Sequence, residues 1–422
     1  MLCGAASFNS GDRQLLTILL EPIKHDLGVS DTAMGLLTGM GFAACYFIAG
    51  IPLAVWADRG VRRDVVACCL AVWSVMTALC GFAQNFLQMA ATRAGVAIGE
   101  AGGNPASHSL VMDFYPPAKR ATALAALIGS QAFGIALGLA LGGWLSVIFN
   151  WRMVFILASI PGLAWALLLR LTVREPARGA SDIMQEAPAK TPLLKSLAEL
   201  WRFKSIRVLL AMAGVGSFNG FAILGWSPTF FMRVHNMRAD QLGYKIGLAS
   251  ATGLILGNLL AGWLSDKLGT KDVRWYMRVA GFASFLAMPF VLLFLFAPNP
   301  YLALVGLACT QLLLTAFMPP LFTMALTLSP TRLRATTSML MGLALYVVGL
   351  GFGPLVIGML NDALASVYGT HAVRFSLLVE LISLATCGAL ALLANRWLVR
   401  ELEEATAIRL SGAKAAVDGA AR

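Results

Sequence analysis

The residues in this sequence best suited to chemistry are ionisable side chains that interrupt long apolar stretches. Asp12 and Arg13 are neighbours, Arg93 and Glu100 lie seven residues apart, and Glu380 stands alone. On a helix, a spacing of seven is about two turns, so Arg93 and Glu100 would share one face about 10 Å apart. A charge at mid-membrane depth costs about 2.5–3.5 kcal/mol, so such side chains normally face a polar cavity or one another.

Asp12, Arg13, Arg93 and Glu100 together predict a proton-coupling and substrate site. Burial favours the neutral form of a carboxyl group, whereas a neighbouring arginine favours its charged form, so a change in the cavity could tip the balance. With both acids ionised the four charges cancel, and one protonation leaves a net positive charge that would attract an anionic group. The hypothesis is that Glu100 or Asp12 binds the proton, while Arg13 or Arg93 contacts substrate or holds the acid. The alternative is a purely structural ion-pair network.

Other chemistries find little support in the residue pattern. The histidines are dispersed, and the cysteines lack metal-ligand spacing. His108 and Ser109, as helix neighbours, would point about 100° apart, which is poor geometry for a nucleophile and its base. We therefore expect neither an enzyme nor a bound metal or cofactor. A nutrient sensor would usually carry a long extra domain, but the segment after Leu398 is short.

The composition is that of a membrane protein. Hydrophobic residues make up 58% of the 422 residues and charged residues 13%, against about 45–50% and about 25% in soluble domains. The surplus of apolar side chains must face lipid. The net charge of +11 could suggest nucleic acid, but the basic residues fall in short tracts between apolar runs. We therefore expect a lipid bilayer as surroundings, no nucleic-acid partner and a monomer.

Apolar segments long enough to cross a bilayer, about 20 residues each, predict twelve transmembrane helices. They lie near 1–23, 32–57, 65–84, 86–112, 119–149, 152–172, 206–233, 241–265, 275–297, 300–328, 335–361 and 372–397. The expected domains are an N-terminal six-helix bundle at 1–172, a cytoplasmic linker at 173–205, a C-terminal six-helix bundle at 206–397 and a cytoplasmic tail at 398–422.

The distribution of basic residues predicts the orientation of the chain. Of the 32 Lys and Arg residues, 24 fall in loops and tails on one side of the predicted helices. Because cytoplasmic loops collect such residues, that side should be cytoplasmic. We expect a multi-pass protein of the cell inner (plasma) membrane with both termini in the cytoplasm.

A repeated loop pattern relates the two predicted bundles. The segment from Ala54 to Arg63 follows the second helix, and the segment from Gly262 to Lys271 follows the eighth, 208 residues later. Each contains an acidic residue followed directly by a basic one. A repeat of this length fits two homologous bundles related by an axis along the membrane normal.

These segments resemble the loop signature of the major facilitator superfamily, Gly-x-x-x-Asp-(Arg/Lys)-x-Gly-(Arg/Lys)-(Arg/Lys), although the first copy has Ala54 and Val61 in place of its glycines. The resemblance implies an all-helical transporter of twelve transmembrane helices whose two bundles rock about a central site. It also implies that the loop residues form a conformational latch between the bundles. The residues of this predicted latch are Asp58, Arg59, Arg62, Arg63, Asp113, Asp266 and Lys267.

Within that superfamily, the sequence is similar to spinster-like lipid transporters and their bacterial relatives. The matching residues are Asp12-Arg13-Gln14, the segments 20–27 and 93–101, and Trp226-Ser-Pro-Thr-Phe-Phe231. This resemblance favours a proton-coupled symporter or antiporter that moves an amphipathic or anionic, lipid-like molecule. The alternatives are a symporter for sugar acids or other organic anions and protons, and a truncated inactive paralogue. The truncated paralogue is an alternative because only eleven residues precede Asp12. We therefore expect helix one to be shortened at its N-terminus.

The C-terminal half offers uncharged polar and aromatic residues to a central cavity, and these would suit an amphipathic substrate. The candidates for lining this cavity are Asn219, Trp226, Phe230, Asn258, Gln311 and Tyr346. In the predicted fifth helix, glycines at 129, 134, 138, 142 and 143 predict close helix contacts. Those contacts would serve either gating or packing.

Overall fold

The computed structural model describes residues 1–176, 193–330 and 333–420; within these ranges the side chains at 58, 117–118, 121, 125, 193–196, 335 and 405–420 are outside the description. In the described ranges the regular secondary structure is entirely helical. This confirms the all-helical fold.

The N-terminal half makes six passes, of which the first, second and fourth are each built from two consecutive helices. The helices are α1 (Leu2–Ile18), α2 (Leu20–Leu27), α3 (Asp31–Thr38), α4 (Met40–Arg59), α5 (Arg62–Cys80), α6 (Phe86–Ala101), α7 (Gly103–Phe114), α8 (Pro117–Ile148) and α9 (Trp151–Thr172).

The C-terminal half follows the short helix α10 (Leu193–Trp201) and also makes six passes. Its helices are α11 (Lys204–His235), α12 (Ala239–Gly269), α13 (Trp275–Phe296), α14 (Pro300–Leu314), α15 (Met318–Leu328), α16 (Arg334–Ala344), α17 (Gly353–Tyr368), α18 (Ala372–Ser376) and α19 (Val379–Ala420). A π-helical segment, Leu345–Phe352, joins α16 to α17 within the eleventh pass.

Nine helical stretches in the described ranges are long and apolar enough to cross a membrane. The last of them, Thr336–Glu404, covers the eleventh and twelfth passes together. The first and fourth passes are not among the nine, and these are the passes that contain Asp12, Arg13, Arg93 and Glu100. The two passes that contain the candidate site are thus the less apolar ones in the described N-terminal half.

The twelfth pass is longer than the predicted segment near 372–397, because α19 continues to Ala420. Glu401 on this extension accepts hydrogen bonds from the backbone N–H groups of Lys204 and Ser205, at 2.8 and 2.9 Å. These groups belong to the first turn of α11, where N–H donors have no partner within their own helix. The contact ties the extension to the start of the seventh pass.

A glycine contact brings the second and eleventh passes together. Gly39 interrupts the second pass with φ −108° and ψ −105°. A Cβ atom at this position would lie only 2.7 Å from the backbone oxygen of Gly351, in the π-helical segment. The missing side chain therefore lets the two backbones approach.

Further close contacts between the halves lie towards one end of the bundle. Gly143 and Gly243, on α8 and α12, pack against the facing backbone at Ala239 and Leu139 respectively, and Gly358 of α17 packs against Asp31. We call this the distal end. The opposite end, where α9 leads into the linker between the halves, is the linker end. In this conformation the halves are joined at the distal end.

Candidate functional site

The four predicted charged residues converge into one buried cluster of crossed ion pairs. Arg13 Nε donates to Glu100 Oε2 at 2.6 Å, and Arg93 Nη1 donates to Asp12 Oδ2 at 3.3 Å. Thr77 Oγ1 donates to the other carboxylate oxygen of Asp12 at 2.8 Å. Each pair joins the first pass to the fourth, a pairing that the spacing of Arg93 and Glu100 alone did not reveal.

The cluster is shielded from solvent and covered by aromatic rings. Glu100 is 0% exposed and Arg93 is 3% exposed. The guanidinium carbons of Arg13 and Arg93 lie 5.1 and 5.3 Å from the ring centre of Phe42, and Arg13 lies 5.4 Å from that of Tyr46. Cation–π contacts of this kind stabilise guanidinium groups that have lost water.

The cluster keeps unused hydrogen-bonding capacity. Glu100 Oε1, Arg13 Nη2 and Arg93 Nε are buried without a hydrogen-bond partner among the described residues. Buried polar groups are nearly always paired, so such atoms need an explanation. A site that exchanges a proton or a ligand must keep acceptor and donor groups free to receive it.

A small central cavity of about 50 Å³ lies between the cluster and the C-terminal half. Arg13, Arg93 and Phe42 line it on one side, and Phe221 and Leu350 line it on the other. The volume exceeds the roughly 10–15 Å³ that one water molecule needs, but it is well below the roughly 300 Å³ of a typical ligand pocket. One wall is cationic and the other apolar.

Tyr346 is the predicted cavity-lining residue that lies nearest to the cluster. Its ring stacks on Tyr46 at 5.8 Å between ring centres and contacts Phe221 at 6.2 Å. Tyr46 in turn covers Arg13. This aromatic bridge connects the charged cluster of the N-terminal half to the eleventh pass.

The other predicted lining residues are part of helix packing in this conformation. Trp226 is fully buried and donates through Nε1 to the carbonyl of Pro354 at 3.0 Å, and Phe230 packs on Phe294. Asn258 donates to the Leu254 carbonyl at 2.8 Å, and Gln311 donates to Ser250 at 3.2 Å. Asn219 is fully buried without a side-chain partner among the described residues. Their role as substrate contacts stays a prediction.

Glu380 lies apart from the cluster, at the start of α19. It is fully buried, and neither side-chain oxygen has a hydrogen-bond partner within the described ranges. Its role is still unassigned.

Among the described side chains of the first copy of the predicted latch, Arg62 and Arg63 contact the N-terminal half and the start of the linker. Arg62 is 2% exposed and binds Asp113, Glu175 at 2.8 Å and the Ser109 hydroxyl at 3.0 Å. The backbone N–H of Arg63 donates to Glu175 at 2.9 Å. The Asp58 side chain lies outside the described residues, and Arg59 is exposed.

The second copy behaves similarly in the C-terminal half. Asp266 accepts a hydrogen bond from the Tyr276 hydroxyl at 2.8 Å, and Lys267 lies over the ring of Trp263 at 4.7 Å. A latch across the halves through these loops stays a prediction.

An ion-pair network at the distal end does join the halves, and the sequence reasoning missed it. Arg233 of α11 donates to both oxygens of Asp31 at 2.5 and 2.8 Å, and to Glu21 at 2.7 Å. Lys24 approaches Asp31 at 2.5 Å. Neither Lys24 nor Arg233 interrupts a long apolar stretch, so the sequence pattern did not single them out.

Asp362 of α17 completes this distal network. Its two carboxylate oxygens accept the backbone N–H groups of Asp31 and Thr32 at 3.0 and 2.7 Å. It therefore caps the start of α3 from the opposite half, where the helix dipole favours an anion. An available signal was an acidic residue directly after the predicted helix near 335–361, but its partners lie some 330 residues away in sequence.

Two six-pass halves that enclose a buried charged cluster define a multi-pass membrane transporter. The chain belongs to the Major Facilitator Superfamily, whose family model matches residues 2–354. An MFS-type efflux pump of Mycolicibacterium smegmatis is 33% identical over 394 residues, which are 92% of this chain and 90% of that protein.

The chain is also similar to sugar-acid and spinster proteins. A probable galactarate/D-glucarate transporter of Bacillus subtilis is 28% identical over 64% of each chain. Protein spinster of Drosophila melanogaster is 26% identical over 64% of this chain but only 46% of its own length. These relatives are the two transporter types that the sequence had suggested.

A solved structure shows the same fold over nearly the whole chain. It is a bacterial homolog of the human lysosomal transporter Spinster in an inward-facing, unoccupied conformation, with a TM-score of 0.87 and 27% identity over 95% of this chain and 96% of that one. The similarity to the spinster-like branch is thereby confirmed. The family and these structural neighbours are transporters, not enzymes.

Proposed function

We propose that this protein is a secondary active transporter that works by alternating access and couples proton movement to an amphipathic or anionic, lipid-like molecule. The observation that carries the proposal is the cluster of crossed ion pairs, in which Glu100 and Asp12 are held by Arg13 and Arg93 beside the central cavity. The protein would operate in the inner (plasma) membrane with both termini cytoplasmic.

The cluster suits proton coupling because each acid shares its environment with two cations. Protonation of Glu100 would weaken its bond to Arg13 and leave that guanidinium with an uncompensated charge beside the cavity. An anionic group could then pair with Arg13, and its departure would restore the Arg13 to Glu100 bond. This exchange links one proton site to one anion site.

The cavity walls favour an amphipathic cargo. The N-terminal wall contributes arginines, whereas the C-terminal wall contributes Phe221, Leu224 and Leu350. A molecule with an anionic head and an apolar body would match both walls once the halves separate.

Proton-driven uptake into proteoliposomes tests the proposal. Glu100→Gln should abolish the dependence of lysophospholipid transport on an imposed pH gradient while exchange without a gradient continues. Glu404→Gln, on the exposed part of α19, is the matched control and should behave as the unmodified protein. Transport by Glu100→Gln that stayed proton-dependent would remove Glu100 as the carrier.

A sugar-acid or other organic-anion symporter is the second candidate. It is supported by the galactarate/D-glucarate relative and by the two arginines beside the cavity. Counterflow is measured separately for galactarate and for lysophospholipid, each as labelled compound outside against the same unlabelled compound inside. This separates the two candidates, because only the true substrate exchanges. If neither moved, both assignments would be wrong.

A further inference from the structure

A second, larger cavity lies wholly within the N-terminal half, between the first, third, fifth and sixth passes. Its volume is about 340 Å³, within the roughly 300–1,000 Å³ range of ligand pockets. It follows α1 from Gly4 to Leu15, a length of about 16 Å at 1.5 Å per helical residue. We call this cavity the lateral trough.

The trough opens towards the lipid rather than towards the other half. Phe133 and Leu141 on α8 line it and are 61% and 44% exposed. Pro161 on α9 lines the opposite edge and is also exposed. Helix α8 packs on α1 and α12, and α9 packs mainly on α5, while α8 and α9 make few contacts with each other. The fifth and sixth passes therefore leave a gap on the outer surface.

A polar patch lies on the inner wall of the trough. Asp12, Thr77 and Ser74 line it there, and Asp12 is the only charged side chain among the described residues that border the trough. Arg13 and Arg93 border the central cavity instead. The same ion network therefore presents cations to the central cavity and a carboxylate to the lateral trough.

An apolar trough of this size, open to lipid, is suited to one hydrocarbon chain. Protein interiors rarely contain empty spaces larger than a water molecule, and the remaining lining is largely aliphatic and aromatic. The carboxylate of Asp12 would favour a head group that donates charge-assisted hydrogen bonds.

We propose that the lateral trough binds a single-chain amphiphile with an amine head, whose chain lies along α1 and whose head donates to Asp12. The bound head competes with Arg93 for this carboxylate, so the site communicates with the central cluster. The site is additional to the proposed anion pathway, and its occupation does not require turnover.

Tryptophan fluorescence gives a direct binding test, because Trp73 and Trp165 both line the trough. The probe is a terminally brominated dodecylamine added to the full-length protein in nanodiscs, with the brominated dodecanoic acid as the comparison. We expect saturable quenching by the amine and at least tenfold weaker binding of the acid. Replacing both Trp73 and Trp165 with phenylalanine should remove the saturable component.

Two substitutions on α9 separate specific binding from partition into the bilayer. Ala158→Phe should fill the trough and weaken amine binding at least tenfold, since Ala158 lines it. Ala164→Phe lies on an exposed part of the same helix and should leave binding unchanged. Equal quenching in both variants would overturn the proposal.

The head-group contact has its own test. Asp12→Asn should lower affinity for the amine about tenfold, because a charge-assisted hydrogen bond becomes a neutral one, while affinity for brominated dodecanol should change little. Equal binding of amine and acid by the unmodified protein would contradict the role of Asp12.

The amine could be a resident of the bilayer or a transported compound. Counterflow of labelled dodecylamine distinguishes the two sources, and the binding site stands in both cases. Glu100→Gln should retain saturable amine binding, because Glu100 does not border the trough. Failure of proton coupling and failure of this site are therefore distinguishable.

Discussion

Arg13 makes several contacts that depend on the shape of its side chain as well as on its charge. It donates to Glu100 and lies over the rings of Phe42 and Tyr46. A planar guanidinium can stack on rings while it donates in its own plane, whereas an ammonium group acts as a strongly hydrated point charge. This residue therefore organises the cavity wall as well as balancing an acid.

Arg13→Lys should produce folded protein with transport reduced about tenfold. The loss reflects weaker stacking and poorer alignment with Glu100, together equivalent to about 1.4 kcal/mol. Substrate counterflow at saturating concentration measures the change. Lys24→Arg, which makes the opposite exchange at an ion pair of the distal end, is the control. Full activity of Arg13→Lys would show that only the charge at this position matters.

At the scale of helices, the glycines of α8 serve two different neighbours. A Cβ atom on Gly138 would collide with Gly11 in the same half, whereas one on Gly143 would collide with Ala239 in the other half. Gly129 has open space around its Cβ position. The packing and gating interpretations of the glycine run thus apply to different residues.

Alanine at these three positions separates packing from gating. Gly138→Ala should lower the melting temperature in detergent by several degrees, since overpacking costs about 1–3 kcal/mol. Gly143→Ala should slow transport with a smaller thermal effect, because it disturbs the contact between the halves, and Gly129→Ala should change neither. Equal loss of thermal stability at 138 and 143 would favour packing at both.

The cap on α3 by Asp362 makes closure of the distal end depend on one carboxylate. Asp362→Asn should raise the population of a distal-open conformation, because an amide has one oxygen acceptor where the carboxylate has two. Electron spin resonance distances between labels at Phe82 and Thr370, exposed in opposite halves, measure this population.

Asp26→Asn is the matched control, since Asp26 binds Arg152 within the N-terminal half. Its distance distribution should be that of the unmodified protein. If Asp362→Asn also left the distribution unchanged, the distal network would not set the conformational balance.

At the scale of the whole molecule, the distribution of charge predicts which end faces the cytoplasm. Most basic residues fall at the linker end, while the distal end combines Arg233 and Lys24 with several acids. The excess of positive charge should hold the linker end in the cytoplasm.

A membrane-impermeant maleimide tests this orientation in intact cells, in a background without the native cysteines. A cysteine at Phe82, exposed at the distal end, should react at once. A cysteine at Lys271, exposed at the linker end, should react only after the membrane is permeabilised. The reverse pattern would place the termini outside.

The sequence by itself determined the class of fold and the members of the charged cluster. Twelve long apolar segments are shielded from water when they cross a bilayer. A charged side chain inside a membrane carries a large free-energy cost, so Asp12, Arg13, Arg93 and Glu100 stand out without coordinates. The proposed domain boundaries stay predictions. The latch between the loops also stays a prediction, because it concerns a change of conformation and a single conformation does not test it.

Only the tertiary structure decided how distant residues pair. It paired Arg13 with Glu100 and Arg93 with Asp12, and it brought Asp362 to the start of α3. It also placed Trp226 and Phe230 in packed surroundings and opened the lateral trough beside Asp12. Helical periodicity specifies which face a residue occupies, but the rotation and crossing of helices determine what that face meets. Those depend on side-chain packing summed over the whole bundle.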